Sequence, residues 1–217
     1  MAEWMSHLVE FNLHVARFAH RSWFPRALSN VLWDSQGRMH PRAERKASDW
    51  LLRELSLQRE MDWHMAEPQK RVWFLDEASL ERLTYELALT MHRDGLAQVI
   101  DGARLRALHK KIDADAWRFI VEDTPEGLFR HRTPTVDFDN ATPESLTASL
   151  RADGARTLLS LIQMPWRAVR DRARVRFDIS LPDADGVTLG ASRTDKALDL
   201  ICTHLIPRRL PQWAWLF

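Results

Sequence analysis

A chain of 217 residues that is 45% hydrophobic and 28% charged can bury a core, and its composition is too ordinary for wholesale disorder. Its 31 lysines and arginines against 30 aspartates and glutamates leave a formal net charge of +1, which supplies no global field for gripping phosphate and disfavours nucleic acid as the main partner. The single cysteine, Cys202, excludes an internal disulfide, no run reaches the roughly 18 apolar residues of a membrane span, and the first residues lack the basic flank and cleavage site of a signal peptide, so the chain reads as cytoplasmic.

Seven glycines, about half of what average usage of roughly 7% supplies, favour helix over sheet. The segment FNLHVARFAHRSWFP, residues 11–25, crowds four aromatic residues, two histidines and two arginines into fifteen positions, and poses the question of chemistry against docking. Pro25 opens a helix carrying Leu28, Val31 and Leu32, and Pro41 opens one carrying Ala47, Trp50, Leu51 and Leu55. The strongest helix is DEASLERLTYELALTMHRDG, residues 76–95, with Asp76 as N-cap and Leu80, Leu83, Leu87 and Met91 on one face. Asp101 and Asp113 cap two shorter helices, striped by Leu105, Leu108 and Ile112 and then by Trp117, Ile120 and Val121.

Loop 123–142, rich in proline, threonine and aspartate, separates sub-layers 1–122 and 143–217 of a single domain spanning 1–217. Thr142 and Pro143 then start a helix striped by Leu146, Leu150, Leu158, Leu161 and Ile162. In RDRARVRFDISLP, Arg172, Arg174 and Arg176 alternate with Ala173, Val175 and Phe177, which predicts either a strand, paired with GVTLG in a hairpin, or the end of a helix. The last helix runs from Ser192 or Thr194 and is stopped by Pro207, with Leu198, Ile201, Cys202 and Leu205 on its stripe. The fold class is therefore mainly α: a single compact helical domain with at most a minor two-stranded β element in its C-terminal third. Leu83, Leu87, Trp117, Leu158, Leu161, Leu198 and Ile201 are its expected core.

Nine histidines invite a metal reading, yet no HExxH or Cys/His ligand spacing is present, so no metal or other cofactor is expected. The HRD triplet at 92–94 has Val99 where a kinase loop needs asparagine, and the carboxylates of DFDN and DADG read as turn and cap residues. No GxSxG elbow exists, and Cys202 lies on an apolar stripe. The arginines at 167, 170, 172, 174 and 176 suit nucleic acid, an acidic partner, the chain's own acidic segment at 113–154, or simple solvation. The C-terminal aromatics Trp213, Trp215 and Phe217 either pack on their own domain or insert into a partner.

Three blocks, the opening FNLHVARFAHRSWFP, the leucine-rich LERLTYELALTMHRDGLAQVIDGARLRALHKKI and the closing ALDLICTHLIPRRLPQW, resemble in order and spacing the YscK/SctK family of type III secretion proteins. The resemblance spans nearly the whole chain and rests on aromatic, histidine and leucine pattern, not on a catalytic fingerprint. It implies a non-enzymatic cytoplasmic adaptor of the injectisome sorting platform, whose partners are the cytoplasmic domain of the inner-membrane ring protein and the pod protein that leads to the ATPase. Such a protein meets the membrane only through those partners. Arg21, Trp23, Arg208, Arg209, Trp213 and Trp215 are the expected partner-binding residues, because arginine and tryptophan most often carry interface energy. The alternatives are a helical nucleic-acid-binding regulator using the 167–176 arginines and an enzyme of unrecognised mechanism.

Overall fold

The structure, a computed structural model, describes residues 3–34, 39–64, 66–124, 136–161, 166–181 and 191–217, and these are mainly helical. In chain order the helices are α1 (Glu3–Leu13), α2 (Arg26–Leu32), α3 (Pro41–Glu54), α4 (Pro68–Arg71), α5 (Glu77–Met91) and α6 (Arg93–Ala97). There follow α7 (Gly102–Lys111), α8 (Ala114–Arg118), α9 (Pro143–Ser160), α10 (Arg167–Arg174), α11 (Ala191–Asp199) and α12 (Ile206–Arg209). Helix starts obey capping chemistry. Asp101 accepts from the amides of Ala103 and Arg104, Asp113 from those of Asp115 and Ala116, and Thr142 from that of Ser145. Pro41 and Pro143 sit in first turns, where a missing N–H costs nothing.

No strand occurs among the described residues, where the one ladder contact is an isolated antiparallel bridge between Trp33 and Met39. The segment 172–181, which the alternation left as either a strand or the end of a helix, ends α10 and continues as turns, so the helix-end reading holds and the minor β element is corrected among the described residues; GVTLG, 186–190, lies outside them. Alternation misleads here because it assigns every arginine to solvent. Arg172 is fully buried and shares an inward helical face with Val169 and Ala173.

Two further corrections concern phase. Trp117 and Leu198 are half-buried, while Ala116, Phe119 and Ile120, and Ala197, Leu200 and Ile201, turn inward instead. Each inward set keeps the i, i+3, i+4 spacing and lies one residue before the expected stripe, and both helices then run into π-helical turns, Phe119–Asp123 and Leu200–Leu205. The second π turn explains why Pro207 does not stop the chain. The Ile206 amide bonds back to Ile201 O, and Pro207 then falls in the first turn of α12.

The chain forms two compact units, each built from separated stretches: Met1–Glu77 with Ile162–Pro182 and Trp215–Phe217, and Ala78–Leu161 with Asp183–Ala214. In the first, Val15, Ala16, Phe24, Leu51, Leu57 and Val175 share one apolar core. The opening aromatic segment is part of it: Phe11 stacks on Phe18 at 5.8 Å, and Phe24 meets Trp33 edge-on at 5.1 Å. Beyond the end of α3, Ser56 takes a left-handed φ of 56°, and the Leu57 amide closes the turn on Leu52 O at 2.8 Å. In the second unit Leu80, Leu83, Leu87 and Met91 of α5 are buried as the stripe requires, with Leu146, Leu150, Leu158 and Leu161. α9 lies against α5 at Gly154. No helix among the described residues is long and apolar enough to cross a membrane.

Candidate docking surface

The six expected contact residues divide between the units: Arg21, Trp23 and Trp215 in the first, Arg208, Arg209 and Trp213 in the second. Most are engaged within the chain. Trp23 donates its indole N–H to Phe177 O at 2.8 Å, with Arg174 stacked over its ring at 5.4 Å, and the exposed Arg21 lies over Trp33. Trp213 donates to Ser79 Oγ at 3.0 Å. Arg208 is exposed, 3.9 Å from Asp123.

Arg209 is the most heavily engaged. It bonds the buried Glu86 at 2.9 Å and Asp115 at 2.6 Å, and it covers the Phe119 ring at 5.0 Å. Burial works to lower its pKa, but the hydrogen bonds and charges of Glu86 and Asp115 outweigh this and hold the guanidinium above its ordinary value.

Trp215 stands differently. It is 47% exposed and, with Trp4, Trp63, Phe74 and Leu216, lines a cleft of about 490 Å³ in the first unit. Arg71 braces the cleft by donating to Leu216 O at 2.7 Å and Ala66 O at 2.9 Å, and His7 lies between Phe74 and Trp215 at ring distances of 6.1 and 6.2 Å. Three tryptophans around one cleft offer large apolar area with polar indole edges, a surface suited to anchoring an apolar side chain of a partner. Trp4 and Trp63 were not among the expected residues. The sequence signal for Trp63 is its place beside Met61 in the polar stretch QREMDWH, where no helical stripe claims either.

The arginine stripe is divided: Arg167 and Arg170 keep much of their side chains in solvent, while Arg172, Arg174 and Arg176 bond the chain's own carbonyls. Arg172 donates to Ala168 O at 3.0 Å, Leu57 O at 3.3 Å and Asn12 O at 3.4 Å; Arg174 donates to the carbonyls of Asp178, Ile179 and Leu181; Arg176 donates to those of Trp73 and Leu75. Burial lowers the pKa of both Arg172 and Arg176 to about 10, so each stays charged at neutral pH. Arg167 and Arg170 pair with Asp171. The donors that Arg172, Arg174 and Arg176 spend on carbonyls are not presented to phosphate. Among the described residues no group of three or more His, Cys, Asp and Glu side chains is placed to hold a metal ion.

The sequence matches the family described as YOP proteins translocation protein K (YscK) over residues 7–190. No curated protein and no solved structure matches the chain. The matched region takes in the opening aromatic core, the leucine-rich α5 and the inward-facing arginines, and on its extent the chain belongs to the YscK family of type III secretion proteins.

Proposed function

We propose that the protein is a non-enzymatic cytoplasmic adaptor of the injectisome sorting platform, linking the inner-membrane ring to the pod that carries the ATPase. The family match over residues 7–190 carries this reading. The aromatic cleft around Trp215 supplies a first docking surface, and the exposed Arg208 and Arg21 extend the set of contacts. Trp23, Arg209 and Trp213 contribute by anchoring their own segments, through bonds to Phe177 O, Glu86 and Ser79. The nucleic-acid alternative loses its main element, because Arg172, Arg174 and Arg176 spend their donors on main-chain carbonyls.

Recovery of the tagged chain from a secreting bacterium, with its companions identified by mass spectrometry, tests the reading. Both the ring protein and the pod protein should co-purify, and removal of the chain should release the pod from the ring fraction and stop secretion. Recovery of neither protein would overturn the adaptor role.

A further inference from the structure

Residues 57–64 form a loop whose backbone is held by buried polar groups. The fully buried Asn12 side chain donates to Asp62 O at 2.9 Å and accepts from Asp62 N at 3.1 Å. Lys70, only 4% exposed, donates to Asp62 Oδ2 at 2.7 Å and to His64 O at 3.0 Å. Arg172 reaches Leu57 O where the loop begins, just after the left-handed Ser56. Desolvating an asparagine, a lysine and an arginine is costly, and here all three are used to fix one exposed strap. The strap places Met61 and Trp63, 39% and 42% exposed, in solvent on a backbone that has already lost its freedom. Such a pre-organised display reduces the entropy lost on binding.

Trp63 belongs to the aromatic cleft. Met61 instead lines a separate groove of about 720 Å³ with Leu13, Leu52, His14 and Gln58 and with the charged Arg45, Arg53 and Asp49. Leu13 is itself partly exposed and Leu52 forms a buried floor. Of the charged residues on α3, Arg45 and Arg53 line the groove against Asp49, and the helix also exposes Arg42 and Lys46 against Glu54. Glu44 does not offset them, since it is turned to His14 and Arg17. The groove therefore has an apolar floor and a rim on which Arg45 and Arg53 outweigh Asp49.

We infer that this groove docks an acidic amphipathic helix of a partner protein, whose apolar ridge lies on Leu13, Leu52 and Met61 and whose carboxylates meet Arg45 and Arg53. The assignment of that partner to the secretion apparatus rests on the adaptor reading above. A concave floor fits an inserted ridge of side chains, which a flat anionic lipid surface does not supply.

A photo-crosslinking amino acid at Gln58 of the full chain, irradiated in secreting cells and mapped by mass spectrometry, tests this directly. The crosslinked segment should be rich in Asp and Glu with apolar residues at i, i+3 or i+4, and i+7. Replacing Arg45 and Arg53 by glutamate should lower the crosslink yield at least tenfold at unchanged melting temperature, and basic residues placed in the partner segment should restore it. Met61→Glu, at an exposed position, should give the same loss if the arginine pair proves hard to express. A neutral or basic segment, a crosslink to a second copy of this chain, or binding of the wild-type chain to phosphatidylglycerol vesicles that the arginine pair abolishes while no peptide is captured, would each overturn the inference. An acidic helix captured from a protein outside the secretion apparatus would leave the groove standing and sink the adaptor reading. Ring and pod proteins recovered equally with wild type and the glutamate pair, without a groove crosslink, would do the reverse.

Discussion

A Cβ built on Gly154 would lie 1.8 Å from Thr84 O, so α9 approaches the backbone of α5 more closely than any side chain permits. A glycine inside an 18-residue helix costs helix propensity, and here that cost secures contact between the two main helices of the second unit. Gly154→Ala gains propensity but must push backbone from backbone, and the second effect wins. The variant should lose roughly 2–3 kcal/mol, read from the denaturant midpoint; an unchanged midpoint would mean that α5 and α9 are not in contact there.

Arg209 and Arg208 are adjacent and should behave oppositely. Arg209→Ala leaves the buried Glu86, among the described residues, with Arg82 alone, 3.0 Å away and half exposed, so it should cost about 3 kcal/mol. Arg208→Glu breaks only an exposed pair and should change stability by about 0.5 kcal/mol or less. If Arg208 contacts a partner, that variant alone should reduce partner recovery at full abundance.

Acid should weaken the fold through carboxylates held in their charged form. The hydrogen bond and charge of Arg209 lower the pKa of Asp115, Asn140 lowers that of Asp137, and Ser180 lowers that of Asp178. A carboxyl whose pKa is lower in the folded state stabilises above its unfolded value, about 4, and that contribution disappears as pH falls through the folded value. Stability should therefore hold from neutral pH to about 5 and decline below about 4. Urea midpoints across this range should fall less steeply in Asp115→Asn than in wild type.

Ser56 adopts a conformation suited to glycine. With φ at 56° after α3, its Cβ crowds the backbone, and Ser56→Gly should raise stability by roughly 0.5–1 kcal/mol. A fall in melting temperature would show that the serine hydroxyl or the stiffness of the turn outweighs the strain.

Trp215 and Trp23 separate docking from folding. Trp23→Ala breaks the bond to Phe177 O and the stack with Arg174, so its melting temperature should fall by several degrees. Trp215→Ala removes a half-exposed wall of the cleft; stability should change by less than about 1 kcal/mol while recovery of ring or pod protein drops. Full recovery with both Trp215→Ala and Trp63→Ala would remove the cleft from the docking surface.

Helix starts at Pro41, Asp101, Asp113 and Thr142 and the burial of Leu83, Leu87, Leu158, Leu161 and Ile201 were all legible in the sequence. Capping and a 3.6-residue period depend on neighbours within one or two turns, so local order suffices to determine them. The orientation of arginine and tryptophan was decided only by tertiary structure. Both types combine apolar area with hydrogen-bond donors, and which end meets protein or water depends on residues far along the chain. Arg209 is held by Glu86, 123 positions away, and Arg172 by Leu57, 115 positions away. Nothing in RDRARVRF or IPRRLPQW encodes those carbonyls and carboxylates, whereas Trp63 and Trp215 remain at the surface because the folded first unit leaves their cleft open.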